Sequence, residues 1–343
     1  MKFALLVLAG VAVFGVVHHV TAPAPRLQFG DAGIAQFAPA AFSRDGKTIL
    51  ARGYRSGPVF GAPSQSLLRL WDTSSGKQIR DYKTNSEKQT QEIRKVGISP
   101  DGKYVFAIGQ DFPLTMWETE TGKEIRTFAA TTISTGRIAF TPDGLNVISA
   151  SGMLRIWETK SGDLLRDLDY RKTGPRGGAG DAQIFFSIDA KYIVLDCGTD
   201  VSVWDFEKLE MKFAFVQYPP TRPIEFRLPV VNAVRGFAMS PDGQGLWITT
   251  TDGKITEYEI DTGKLRKSYQ INPDGDIHVL AVSPKGDKIM TTGFHGNTIV
   301  YSFPECKEIK RMLGYGHVQF SPDGKTALTF TKNGRMMLWD LDK

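Results

Sequence analysis

Short runs of alternating apolar and polar residues, each closed by a turn, recur along most of the chain. The stretch from Gly136 to Leu168 shows the unit most plainly. Arg137-Ile138-Ala139-Phe140 is followed by the turn Thr141-Pro142-Asp143-Gly144, by Val147-Ile148-Ser149-Ala150, and, after Ser151-Gly152, by Leu154-Arg155-Ile156-Trp157-Glu158. A second turn, Thr159-Lys160-Ser161-Gly162, leads into Leu164-Leu165-Arg166. This pattern predicts four short strands in succession, the first three with the period-two alternation of half-buried strands. Pro142 presets φ in its turn, Asp143 bonds the local backbone, and Gly144 takes the positive φ that a side chain would resist. One such unit cannot bury both of its faces, so further copies are required to cover it.

The copies are present. The turn between first and second strands recurs as Phe42 to Gly46, Ile98 to Gly102, Phe140 to Gly144, Phe186 to Ala190, Met239 to Gly243, Val282 to Gly286 and Phe320 to Gly324. In step with it, the third strand recurs at Trp71-Asp72, Trp117-Glu118, Trp157-Glu158, Trp204-Asp205, Tyr258-Glu259, Tyr301-Ser302 and Trp339-Asp340. Spacings of roughly 38 to 56 residues bracket those of a four-stranded propeller blade.

These motifs resemble the WD-repeat β-propeller family over nearly everything from Phe37 to Lys343. The resemblance implies an all-β fold of seven four-stranded antiparallel blades and a role in protein–protein interaction. The family's Gly-His pair stands only at Gly316-His317, Tyr258 and Tyr301 replace Trp in two blades, and Ser302 replaces the acid in one. The His-to-Trp hydrogen-bond network that the resemblance implies is therefore not expected in most blades.

The last repeat ends just after its third strand, at Trp339-Asp340-Leu341-Asp342-Lys343. Arg26-Leu27-Gln28-Phe29, ahead of the first repeat, alternates polar and apolar residues and is expected to supply the missing fourth strand. Without it an edge and an apolar blade face would stay open.

In a four-stranded blade, the turns after strands one and three share one face of the disc, and those after strands two and four share the other. The first set here is uniformly short. The second set carries the insertions: Arg52 to Gly61, Lys83 to Glu92, Tyr170 to Asp181, Tyr218 to Pro229 and Asn272 to Asp276. Loops on a rigid scaffold commonly hold binding residues, so the binding surface is expected there, around the mouth of the channel. Arg55, Phe60, Arg171, Lys172, Arg176, Tyr218, Arg222, Phe226 and Arg227 are the candidates, since aromatic and arginine residues are the usual anchors of protein interfaces. The plainer alternative has the aromatics tucked onto their own blades and the cations solvated. Three prolines in Tyr218-Pro219-Pro220-Thr221-Arg222-Pro223 stiffen that segment into a binding ridge or a spacer.

Length and charge add limits. A chain of 343 residues is long for a single core, but in a repeat fold each unit packs only on its neighbours, so one ring is expected over residues 25–343. The net charge of +5 is dispersed, without the basic stripe of a nucleic-acid binder. Lys2 precedes an uncharged apolar run, Phe3 to Val17, so residues 1–24 read as an export signal or an N-terminal membrane anchor. That run of about fifteen residues falls short of the roughly twenty of a full span, which favours export. Against cleavage, Ala22 and Ala24 are each followed by proline. Cys197 and Cys306 fall at different positions of non-adjacent repeats and are expected to be unpaired.

For chemistry, His278, His295 and His317, with Asp274 and Asp276, gather toward the loop-rich side of the last two blades. They lack the paired spacing of metal sites, and His317 is more simply the family's structural histidine. The recurring serines belong to turns and form no nucleophile constellation. The expectation is a monomeric, non-catalytic, exported propeller without cofactor or metal, which binds a protein or a cell-envelope component and no nucleic acid. The alternative is a propeller hydrolase or lyase acting on a small molecule at the channel mouth.

Overall fold

Seven four-stranded antiparallel sheets make up the protein in a computed structural model, with no helix among the described residues. The structure describes residues 24–30, 40–55, 65–84, 92–110, 112–128, 137–150, 153–169, 184–187, 189–196, 201–215, 234–250, 252–271, 279–293 and 296–342. Blades 1 to 6 each take four consecutive strands, within Ala40 to Tyr82, Glu92 to Thr127, Arg137 to Leu168, Ile184 to Phe215, Val234 to Gln270 and Val279 to Leu313. Blade 7 is composite. Strands β26 (Gln319–Phe320), β27 (Thr326–Phe330) and β28 (Met336–Asp340) are completed by the first strand of the chain, β1 (Leu27–Phe29).

Seven apolar clusters fill the seams between consecutive blades, and the last closes the circle from blade 7 to blade 1. The middle strands therefore differ from the half-buried strands expected of alternation. The second strand of blade 5, Gly245–Thr250, is buried at every position. Its period of two sorts side chains between two seams instead of between core and solvent. In blade 3, Val147 and its cross-strand partner Trp157 pack toward blade 2, while Ile148 and its partner Ile156 pack toward blade 4. Only the outer strands show a solvent side, as in Leu164–Leu168.

The closing strand pairs antiparallel to β28, with Leu27 opposite Leu338 and Phe29 opposite Met336. Phe29 is buried at the seam, its ring centroid 5.7 Å from that of Trp71 in blade 1. Arg26 ion-pairs with Asp340 at 3.3 Å and donates to the Thr73 carbonyl of blade 1. Gly76 seats the strand: at φ 67° it adopts a conformation that side chains resist, and a Cβ there would lie 3.0 Å from both Leu27 and Phe29. The expected clasp is thus present, as a strand over Leu27–Phe29 with Arg26 just ahead of it.

Candidate functional site

The face bearing the short turns is a repeated hydrogen-bonded construction. In blade 1, Ser43 Oγ donates to Asp45 Oδ1 at 2.6 Å and accepts the Thr48 N–H at 3.0 Å, while Asp45 also accepts the Lys47 N–H. The same box stands at Ser99–Asp101, Thr141–Asp143, Ser187–Asp189, Ser240–Asp242 and Ser321–Asp323. The serine hydroxyl and backbone N–H groups hold the carboxyls of Asp45, Asp189 and Asp323 below the usual carboxylate range. Blade 6 has Lys285 in the acid's place, and Ser283 Oγ turns instead to Asp287, at 2.8 Å.

The two turns of each blade are also tied to each other. The residue after the third strand donates its N–H to the residue before the second, from Thr73 to Lys47 in blade 1 through to Leu341 and Lys325 in blade 7, seven times in all. This face is further laced from blade to blade. Arg80 on the outer strand of blade 1 donates to the Thr121 carbonyl of blade 2, Arg126 to Lys160 of blade 3, and Arg166 to Phe206 and Glu207 of blade 4. Lys310 of blade 6 reaches the Asp340 carbonyl of blade 7. Gly162 makes room for one such strap: a Cβ there would lie 2.8 Å from Arg126 Cδ. Blade 4 has Phe213 at the strap position, and the tie to blade 5 is made by the Tyr192 hydroxyl and Lys191 on Asp261.

The opposite face receives every connection after a second or fourth strand. Phe60, Arg171, Lys172, Arg176, Tyr218, Arg222, Phe226 and Arg227 lie outside the described residues, as do His278, His295, Asp274, Asp276 and Cys197. Arg55 ends the second strand of blade 1, and its side chain is likewise outside them. Within the blades leading to this face, Arg52 donates to the Ile93 carbonyl and so ties blade 1 to blade 2. Arg69, buried at the seam with blade 7, forms a two-pronged pair with Asp81, at 2.7 and 3.3 Å. A small cleft opens there over Trp71, between Gly30, Gly53, Gly334 and Met336.

His317 enters the inner strand of blade 7 from this face. Its Nε2 is occluded without a hydrogen-bond partner, and desolvation, reinforced by the charge of Lys95, pulls its pKa down to about 4. It does not engage Trp339, whose indole N–H donates to Thr329 Oγ1 at 2.8 Å. Hydroxyls serve Trp157 and Trp204 in the same way, through Ser149 and Ser202. Trp117 donates instead to the Lys83 carbonyl, so four of the five third-strand tryptophans are satisfied without histidine. Cys306 is a free thiol, and among the described residues no three His, Cys, Asp or Glu side chains are grouped to hold a metal ion.

No protein-family model matches the chain, and no curated protein matches it either. Solved structures do. The crystal structure of a Mitotic Checkpoint Complex contains a chain that superposes with a TM-score of 0.69 at 16% identity, over 99% of this chain and 98% of that one. At that identity the likeness establishes a shared propeller fold, and 1801 chains of solved structures match, too many for the fold to name one activity.

The turn boxes and the closing strand were both visible as sequence patterns. The straps are not among the sequence expectations, although a signal exists: a cation stands third in the outer strand as Arg80, Arg126, Arg166 and Lys310.

Proposed function

We propose that this protein is a non-catalytic interaction scaffold working outside the cytoplasm, whose loop-bearing face binds another protein or an envelope component. One observation carries the reading. The turn face is consumed by stereotyped boxes and ties, whereas every variable connection leaves the strands toward the other face. The long segments rich in arginine and aromatic side chains, Tyr170 to Asp181 and Tyr218 to Pro229, belong to that second set. A preorganised ring spends little ordering entropy on binding, and a disc face offers the roughly 800 Å² per partner of a standard interface. The uncharged leader, Phe3 to Val17, supports export.

Reversing charge at Arg171, Lys172 and Arg176 together tests the face. Pull-down of the envelope fraction with the exported protein, read by mass spectrometry, should lose its main partner in the variant while the melting temperature stays unchanged. Undiminished capture clears that loop. The same spectra report the mature N-terminus and hence whether the protein was exported and processed.

A further inference from the structure

We propose that the outer edge of the turn face in blades 6, 1, 2 and 3 rests on a lipid bilayer, where the N-terminal run holds it, with the loop face turned away from the membrane. The inference deepens the function proposed above and rests on the N-terminal run being retained as an anchor.

The direction of β1 supplies the first argument. Its start lies beside the end of β28: Leu27 faces Leu338 and Arg26 pairs with Asp340. The end of β28 belongs to the turn face, because Leu341 N–H is tied to the Lys325 carbonyl there. Chain preceding Arg26 therefore leaves blade 7 from the turn face, while Gly30 continues toward the loop face. Only residues 18–25 separate Val17 from Arg26, a tether that spans at most about 29 Å when fully extended. If Phe3 to Val17 is embedded in lipid, the turn face must be close to the bilayer surface.

The second argument comes from one register position. In each of the first six blades a bulge interrupts the pairing of the outer strand near its turn-face end. Side chains at this irregularity are only partly covered by the blade. In blades 6, 1, 2 and 3 they are Ile309, Ile79, Ile125 and Leu165, exposed to 44%, 48%, 39% and 53%. In the adjoining blades 4 and 5 the same place is taken by Lys212 and Arg266. The apolar positions thus occupy one continuous sector that includes blade 7, where Arg26 marks the exit of the chain. Leu265 of blade 5 is also exposed, but it stands between Lys264 and Arg266 and extends no apolar sector.

Four separated, half-exposed aliphatic side chains suit a flat, deformable surface better than a single peptide, which would need them in one groove. Each contributes little alone. With the chain already tethered, they act at high effective concentration, and the contact fixes the tilt of the disc.

The test uses the full-length chain with Cys197→Ser and Cys306→Ser, carrying a polarity-sensitive fluorophore at one introduced cysteine. The sites are Ile79→Cys, Ile125→Cys, Leu165→Cys, Ile309→Cys, Lys212→Cys and Arg266→Cys, all outside the blade seams, and each variant is first checked by thermal melt. On phosphatidylcholine vesicles containing nitroxide-labelled lipid, the first four sites should be quenched at least twofold more than the last two. Equal quenching at all six sites, or none at any while the protein sediments with the vesicles, overturns the lipid contact and leaves the loop-face reading standing. Failure to sediment with vesicles overturns the anchor and the contact together. A concentration-dependent blue shift at the four sites without vesicles assigns the sector to a second copy of the chain and overturns the lipid assignment.

Discussion

The two faces of this disc are built from the same strands and differ in what their connections are free to do. On the turn face, each link is fixed by its own chemistry: a hydroxyl, a carboxylate and a residue at positive φ, glycine in six blades and Ala190 in blade 4, close the first turn, and a backbone bond ties it to the second. On the loop face, nothing in the blade geometry dictates length or composition, and the links vary from the single residue between Gln110 and Phe112 to the segment 216–233. The contrast separates residues that answer to the fold from residues available for recognition, and it does so without reference to any ligand.

The largest test of this division removes the closing strand. Deleting Arg26 to Phe29 exposes the edge of β28 and the apolar seam containing Trp71, Leu328 and Met336. A sharp fall in melting temperature with aggregation is expected by calorimetry and light scattering. The single change Phe29→Ala should cost about 3–5 kcal/mol, as for other buried aromatics. An unchanged melt would remove the clasp from any role in stability.

A smaller effect probes the boxes. Asp101→Ala should cost about 1–2 kcal/mol, because Ser99 Oγ and the Lys103 N–H each lose a partner. Blade 6 sharpens the point: Asp287→Ala should cost part of that loss, through the Ser283 hydroxyl, whereas Lys285→Asp should add little, that hydroxyl being already engaged. Denaturant melts of the three variants decide it.

Acid titration separates the faces by pH. His317 has a folded pKa near 4, below its ordinary 6.5, so between those values the unfolded chain binds more protons. Stability is full above about 6.5 and falls as pH drops toward 4. The turn aspartates, held below 3.8, add their loss only at still lower pH. His317→Gln should remove the first decline, by roughly 2–4 °C in melting temperature at pH 5, and leave the second. The smallest expected change in stability belongs to the loop face, where Arg171→Glu, Lys172→Glu and Arg176→Glu together should stay within about 0.5 kcal/mol of wild type per site.

Much of the fold was legible because its signals are local. A turn of the Ser-Pro-Asp-Gly type specifies its own geometry within a few residues, and seven of them in step with seven third strands leave only a ring. The closing strand was legible by subtraction, since the last repeat stops one strand short. The direction in which side chains point was not: Val147 and Ile148 are equally apolar in sequence, and only the neighbouring blades separate them into different seams. Nor did Lys285 announce that Asp287 would take over its turn. The proposed binding face was legible only as a side of the disc. A loop of arginines and aromatics such as Tyr218 to Arg227 carries no internal rule that names what it meets.

Because β1 precedes the first blade and β28 belongs to the seventh, the circle stays open until the segments around Leu27 and Leu338 meet. Six blades can assemble in order as they emerge, each borrowing its neighbour's surface, while the opening segment waits more than 300 residues for its partner. Of all the strand pairings in the ring, this closure joins the residues farthest apart along the chain, and its loss would leave both a bare strand edge and an open seam.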